Sequence, residues 1–194
     1  NFRGQLLWAP SDRAEVRLIV DAEEIDEVCC GVANLVDGPT GGIVRALGGD
    51  LVGDAPFAYA NYQDFDPKNE IETNGVSLQI EYDFDSFALT SITAFRTLDQ
   101  FQSGDVDFTS ARLISAEMAD ARDTEIDTFT QELRLTSTSD GPLQWMVGAF
   151  YFNEEVTNDE NFGLGPDFRS YVDVLLASLG APGALGQIEQ VLGL

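Results

Sequence analysis

The chain has no histidine and a single lysine, Lys68, among its 194 residues. The ten Lys and Arg stand against 34 Asp and Glu, for a formal net charge of -24. Without histidine there is no imidazole base and no His-ligated metal. So few cations cannot form a basic face that tracks phosphates, and nucleic acid is not an expected partner. No run of about 18 apolar residues occurs, so a helical membrane span is not expected. No basic stretch followed by an apolar one opens the chain, and no signal peptide is expected. Cysteine is confined to the neighbours Cys29 and Cys30. They form no CxxC pair, zinc spacing or disulfide framework. An adjacent disulfide, two free thiols and pairing outside the chain all stay open. The hydrophobic fraction of 44% argues against wholesale disorder.

What the sequence does have is alternation. In residues 15–22, Val16, Leu18, Val20 and Ala22 share one parity, opposite Glu15, Arg17 and Asp21. In 75–83, Val76, Leu78, Ile80 and Tyr82 oppose Ser77, Gln79, Glu81 and Asp83. In 128–136, Phe129, Leu133 and Leu135 oppose Thr128, Thr130, Glu132, Arg134 and Thr136, with Gln131 an exception on the apolar side. A period of two with one apolar and one polar face predicts strands. Less regular strands are expected at 2–8, 88–97 and 143–152, and of the six the third extends over 72–83 and the fifth over 125–136. Short links rich in Pro, Asp, Ser and Gly join them in pairs: 9–14, 83–87 and 137–142. Long connections, near 23–71, 98–124 and 153–194, separate the pairs.

Short turns at one end and long loops at the other predict an all-β fold, an antiparallel transmembrane β-barrel segment of about six strands in three hairpins. The apolar parity then meets lipid and the polar parity the lumen. Trp8, Tyr82 and Trp145 fall beside the short turns on the apolar parity, and Phe2 and Tyr151 at the opposite ends. Phe95 joins them if Arg96 points to the lumen. Two aromatic bands suit the two membrane interfaces. A soluble β-sandwich is the competing architecture, since its strands alternate too.

Several stretches resemble segments of TonB-dependent outer-membrane receptors. They are Arg3-Gly4-Gln5-Leu6-Leu7-Trp8-Ala9-Pro10-Ser11-Asp12 and Val16-Arg17-Leu18-Ile19-Val20-Asp21 followed by Cys29-Cys30. Leu89-Thr90-Ser91-Ile92-Thr93-Ala94-Phe95-Arg96, Phe129-Thr130-Gln131-Glu132-Leu133-Arg134-Leu135 and Trp145-Met146-Val147-Gly148-Ala149-Phe150-Tyr151 follow in order. The resemblance implies a 22-stranded barrel with an N-terminal plug, in the outer membrane of a Gram-negative bacterium. It implies uptake of a scarce nutrient such as a ferric siderophore, driven by the TonB complex, with no enzyme activity and no cofactor. Plug, TonB-contacting motif and terminal strand are missing, so the chain is expected to be a middle piece, beginning inside a strand and ending at Leu194 in an outer loop.

The loops carry the remaining signals. Asp21-Ala22-Glu23-Glu24-Ile25-Asp26-Glu27 reads either as a solvated acidic face or as a divalent-cation site. Asp64-Phe65-Asp66 and Asp105-Val106-Asp107 lack the sixth-position glycine of an EF-hand loop. Helices are expected from Pro39 to Gly49, from Phe168 to Leu179 and from Ala184 to Leu192, as lids over a substrate mouth or as loop packing. Lumen-facing Arg17, Arg96 and Arg134 are the ligand-binding candidates. Pairing with carboxylates such as Glu81 and Glu132 is their expected role, contact with a plug or an anionic substrate the other. Two alternatives remain: an extracellular soluble β-domain binding glycans through Trp8, Trp145 and tyrosines, and a hydrolase using two carboxylates about 5–10 Å apart.

Overall fold

The computed structural model describes residues 1–55, 57–116, 121–139 and 141–193. The expected turn residue Asp140, part of the 98–124 connection and the chain end at Leu194 lie outside them. The chain is mostly β. Its strands are β1 Phe2–Ser11, β2 Ala14–Glu27, β3 Lys68–Asp83, β4 Phe87–Asp105, β5 Ile114–Ala116, β6 Arg122–Ser137, β7 Met146–Glu160 and β8 Gly163–Leu164. Three short helices, α1 Gly41–Ala46, α2 Phe168–Ser178 and α3 Ala184–Leu192, lie in the long connections. No described helix is long and apolar enough to cross a membrane.

Two compact units emerge. The first comprises Asn1–Asp26, Glu70–Phe101 and Asp123–Asp159; the second comprises Glu27–Asn69, Gln102–Arg122 and Glu160–Leu194. The first unit is a six-strand antiparallel sheet in the order β1-β2-β3-β4-β6-β7. It is open, with β1 and β7 as its edges.

The register keeps like faces together. Leu6 lies opposite Leu18, Trp8 opposite Val16 and Gly4 opposite Val20, while Arg3 faces Asp21 and Leu7 faces Arg17. A one-residue slip would mix the two faces, so the alternation itself specifies this pairing. Ser11 pairs with Ala14, leaving Asp12 and Arg13 as a two-residue turn. The tight turns meet at one end of the sheet. Arg13 bridges Asp85 at 2.9 Å, the Asp83 amide donates to the Arg13 carbonyl at 2.8 Å, and the Thr138 amide donates to the Ser86 carbonyl at 3.0 Å.

The strands run longer than their alternation suggested. β2 continues to Glu27, β3 begins at Lys68, β4 continues to Asp105 and β7 to Glu160. In the β2 and β7 extensions charged side chains occupy both parities, and in those of β3 and β4 no apolar face alternates with a polar one, so periodicity gave no sign of strand. β5 and β8, of three and two residues, are too short for any pattern to register.

The exposure of β3 and β6 is inverted for a water-soluble sheet. Val76, Leu78, Ile80 and Tyr82 are 42%, 37%, 38% and 38% exposed, whereas Ser77 and Gln79 between them are half-buried. Phe129 and Leu133 are exposed, and Thr128 and Thr130 half-buried. Among the described residues every buried hydrophobic side chain, namely Ile43, Val44, Ala111, Leu113 and Ala121, belongs to the second unit.

The second unit builds a small core of its own. Val44, Ala111 and Leu113 form it, with Leu47, Leu51, Ile114 and Tyr171 packed around. α1 packs on α2 and α2 on α3. Arg169 ties the last two, bonding Asp173 at 2.9 Å on its own helix and Glu189 at 2.8 Å on α3. That pairing raises the Arg169 pKa and lowers the Glu189 pKa. The last residues of β4 pair with β5, and β5 pairs with β8. All three expected helices occur, each within a few residues of its expected span, and α1 and α2 contribute to this core.

Candidate functional site

The polar face of the sheet carries the three arginines singled out from the sequence, each with a carboxylate. The Arg17 Nη2 lies 3.3 Å from Glu15, and the Arg134 guanidinium lies 2.9 Å from Glu132. Both partners sit two positions away on the same strand, since residues i and i+2 share a face. Arg96 on β4 instead reaches Asp21 on β2, with Nη2 at 2.9 and 2.7 Å from the two carboxylate oxygens. β3 lies between those strands, and Gly75 is where the bridge passes over it. A Cβ on Gly75 would stand 2.6 Å from the Arg96 Nη2 and 3.1 Å from the Asp21 Oδ1. The three arginines do not converge on one point. Each is held by its own acid, and none forms a shared anion pocket.

Arg96 on the polar parity puts Phe95 on the other face, where it is 44% exposed. Gln131, the polar exception among apolar residues, has an account too. Its Oε1 accepts from the Thr93 hydroxyl at 2.6 Å and its Nε2 donates to the Ser91 hydroxyl at 3.1 Å. The three side chains satisfy one another, which is the condition for placing polar groups on an apolar surface. It also explains why β4 showed no clean division of faces in the sequence.

A cavity of about 220 Å³ in the first unit is lined by Glu70, Glu72, Asp99, Asp123 and Glu125. Among the described residues no group of three or more Asp, Glu, Cys or His is placed to hold a metal ion. The acidic run 21–27 is partly spoken for: Asp21 by Arg96, and Glu27 by the Asn69 side-chain amide at 2.9 Å.

In the second unit Cys29 and Cys30 are joined to each other by a disulfide. The pair Asp105 and Asp107 organises the loop after β4. Asp105 Oδ1 accepts from the amides of Asp107 at 2.9 Å and Phe108 at 3.1 Å. Asp107 accepts from the Thr109 hydroxyl at 2.6 Å and the Ile114 amide at 2.9 Å. Asp105 is 3% exposed and its Oδ2 has no hydrogen-bond partner. Burial first, then the charges of Asp107 and Asp64, push its carboxyl up to about 6. The sequence named Asp105 only as part of the Asp105-Val106-Asp107 stretch and gave no sign of its burial, because 34 acids offer no contrast.

The folded state binds a proton at Asp105 more tightly than the unfolded chain does. Its contribution therefore favours folding most below the ordinary value of 3.8 and weakens as pH rises through about 6. Asp105→Asn keeps an acceptor for both backbone amides and carries no charge. It is expected to stabilise the second unit at pH 7.5 by roughly 2 kcal/mol and to flatten the stability change between pH 4 and pH 7. Thermal unfolding at both pH values measures this; a variant with unaltered pH dependence would assign the slope to other acids.

No family model matches the chain, and neither a curated protein nor a solved structure matches it. The likeness to TonB-dependent receptors rests on the short stretches quoted above.

Proposed function

We propose that this chain is a segment of an outer-membrane β-barrel receptor, of the TonB-dependent kind, that takes up a scarce nutrient with a ferric siderophore as the default cargo. Its work is binding and passage, without covalent chemistry. The apolar parity of β1, β2, β3, β4 and β6 meets lipid, the polar parity meets a watery lumen, and the long connections are outer loops. Further strands pair with the edges β1 and β7, and the TonB complex acts through a part of the receptor outside this chain.

One observation carries the reading. In the Val76–Ile80 stretch the apolar residues are exposed and the polar residues between them half-buried. A sheet stabilised by water exclusion hides the apolar face, whereas one solvated by lipid must show it. The tight turns at one end and the exposed Trp8, Tyr82 and Trp145 beside them support the same orientation.

The test is fractionation of the full-length gene product. It should partition with the outer membrane, require detergent for extraction, and support iron uptake from a ferric chelate. The isolated 194-residue chain should aggregate in water, because open strand edges and an apolar face template association. A monodisperse, cooperatively folding monomer in plain buffer would sink the membrane reading and favour the soluble glycan-binding domain.

A further inference from the structure

The second unit holds a half-open cavity of about 420 Å³ that the transport reading does not use. Its size falls in the range of small-molecule sites, roughly 300–1,000 Å³. Cys30, Asp105, Val106, Phe108 and Phe162 are in its wall, together with the ion pair of Arg122 and Glu160. Segments far apart in sequence therefore meet here. Two rings, two valines and one cysteine of the disulfide offer an apolar bed.

The wall is also charged in an unbalanced way. Asp105 is 3% exposed, and its Oδ2 has no hydrogen-bond partner. Arg122, the cation in this wall, is held by Glu160 and does not neutralise it. A buried carboxylate without a counter-charge is costly, and a cation arriving beside it removes that cost.

The backbone points to the same place. Among the described residues three that are not glycine have positive φ, and two of them, Cys30 at 75° and Phe108 at 54°, line this cavity. Such conformations persist only where the surroundings enforce them, and they gather at ligand sites. Here the Gln102 side-chain amide donates to the Cys30 sulfur at 3.6 Å, and Asp105 accepts the Phe108 amide at 3.1 Å. The same acid thus carries the uncompensated charge and fixes one of the rings.

We propose that this cavity binds an organic monocation, a primary ammonium on an apolar body of about one ring. The body rests on Phe108, Phe162 and the disulfide. The ammonium supplies the counter-charge that Asp105 lacks and gains from the faces of the two rings. The net charge of -24 enriches cations near the protein and discourages anions. The site is a property of the second unit and does not depend on the transport reading.

Calorimetric titration of the full chain in detergent, with 2-phenylethylammonium as probe and 2-phenylethanol as its uncharged counterpart, tests this. The wild type should bind the ammonium at least tenfold more tightly than the alcohol. Asp105→Asn should abolish that preference, and Phe162→Ala should weaken both compounds. The wild-type comparison decides the matter even if a variant does not fold. No binding of the ammonium, equal affinity for the two compounds, or a preference that survives Asp105→Asn overturns the proposal.

Discussion

Leu78→Arg is expected to cost the membrane-assembled protein about 2–4 kcal/mol, the penalty for a guanidinium on the lipid face near the bilayer midplane. Leu78 lies between Val76 and Ile80 on the exposed apolar side of β3. Leu18→Arg tests the same parity on β2, opposite Leu6. Ser77→Arg and Thr130→Arg place the identical charge on the polar parity, where water and neighbouring carboxylates receive it, and should be much milder. Folding into lipid vesicles in a denaturant titration measures all four. Equal tolerance at both parities would remove the physical basis of the barrel, because a lipid-facing and a lumen-facing position cannot accept the same ion at the same cost. A soluble sheet with Leu78 in its interior would also penalise the arginine, but it would do so without requiring lipid.

Gly165→Ala is expected to destabilise the second unit by about 3 kcal/mol, at the upper end of the usual range for overpacking. A Cβ at this position falls on the carbonyl oxygen of Arg112 and crowds the Leu113 amide nitrogen. The obstacle is backbone and cannot swing away. The carbonyl accepts from the Asp167 amide at 3.1 Å, the Gly165 amide donates to the Leu113 carbonyl at 2.7 Å, and the Arg112 amide donates to Asp167 at 3.1 Å. These Arg112 bonds hold the Asp167 carboxyl below its ordinary value. Pushing the two strands apart loses the β5–β8 pairing and the start of α2 together. Hydrogen exchange at Leu113 and Gly165 reads the loss directly. Gly42→Ala is the control, since a methyl there meets nothing within 4 Å and alanine favours the helix by roughly 0.5–1 kcal/mol. Unchanged protection in Gly165→Ala would show that this approach is not as close as described.

The first unit was largely legible in the sequence. Strand periodicity is local, so Val76, Leu78 and Ile80 announced a strand and a face without any knowledge of neighbours. The short links announced which strands pair, and the observed register of Leu6 with Leu18 follows once like faces are matched. Legibility ended where alternation ended. The strand extensions to Glu27 and Glu160 have charges on both parities, the one to Asp105 has no apolar alternation, and β5 and β8 offer too few residues to carry a period. The sequence put Arg96 on the polar face but could not supply its partner, because Asp21 lies 75 residues away and two strands over. Gln131 looked like an error of pattern until Ser91 and Thr93 were seen beside it. The state of Cys29 and Cys30 was open in the sequence, since adjacency permits a bond without requiring one.

By itself, then, the sequence determined the β character, the two-faced hairpins and the tight turns, all of which depend on contacts a few residues apart. Tertiary structure decided which face is covered, which acid holds each arginine, and that Asp105, one of 34 acids, is buried without a counter-ion. The physical reason is range. A pleat is set by neighbours along the chain, whereas burial and charge balance depend on segments that only folding brings together.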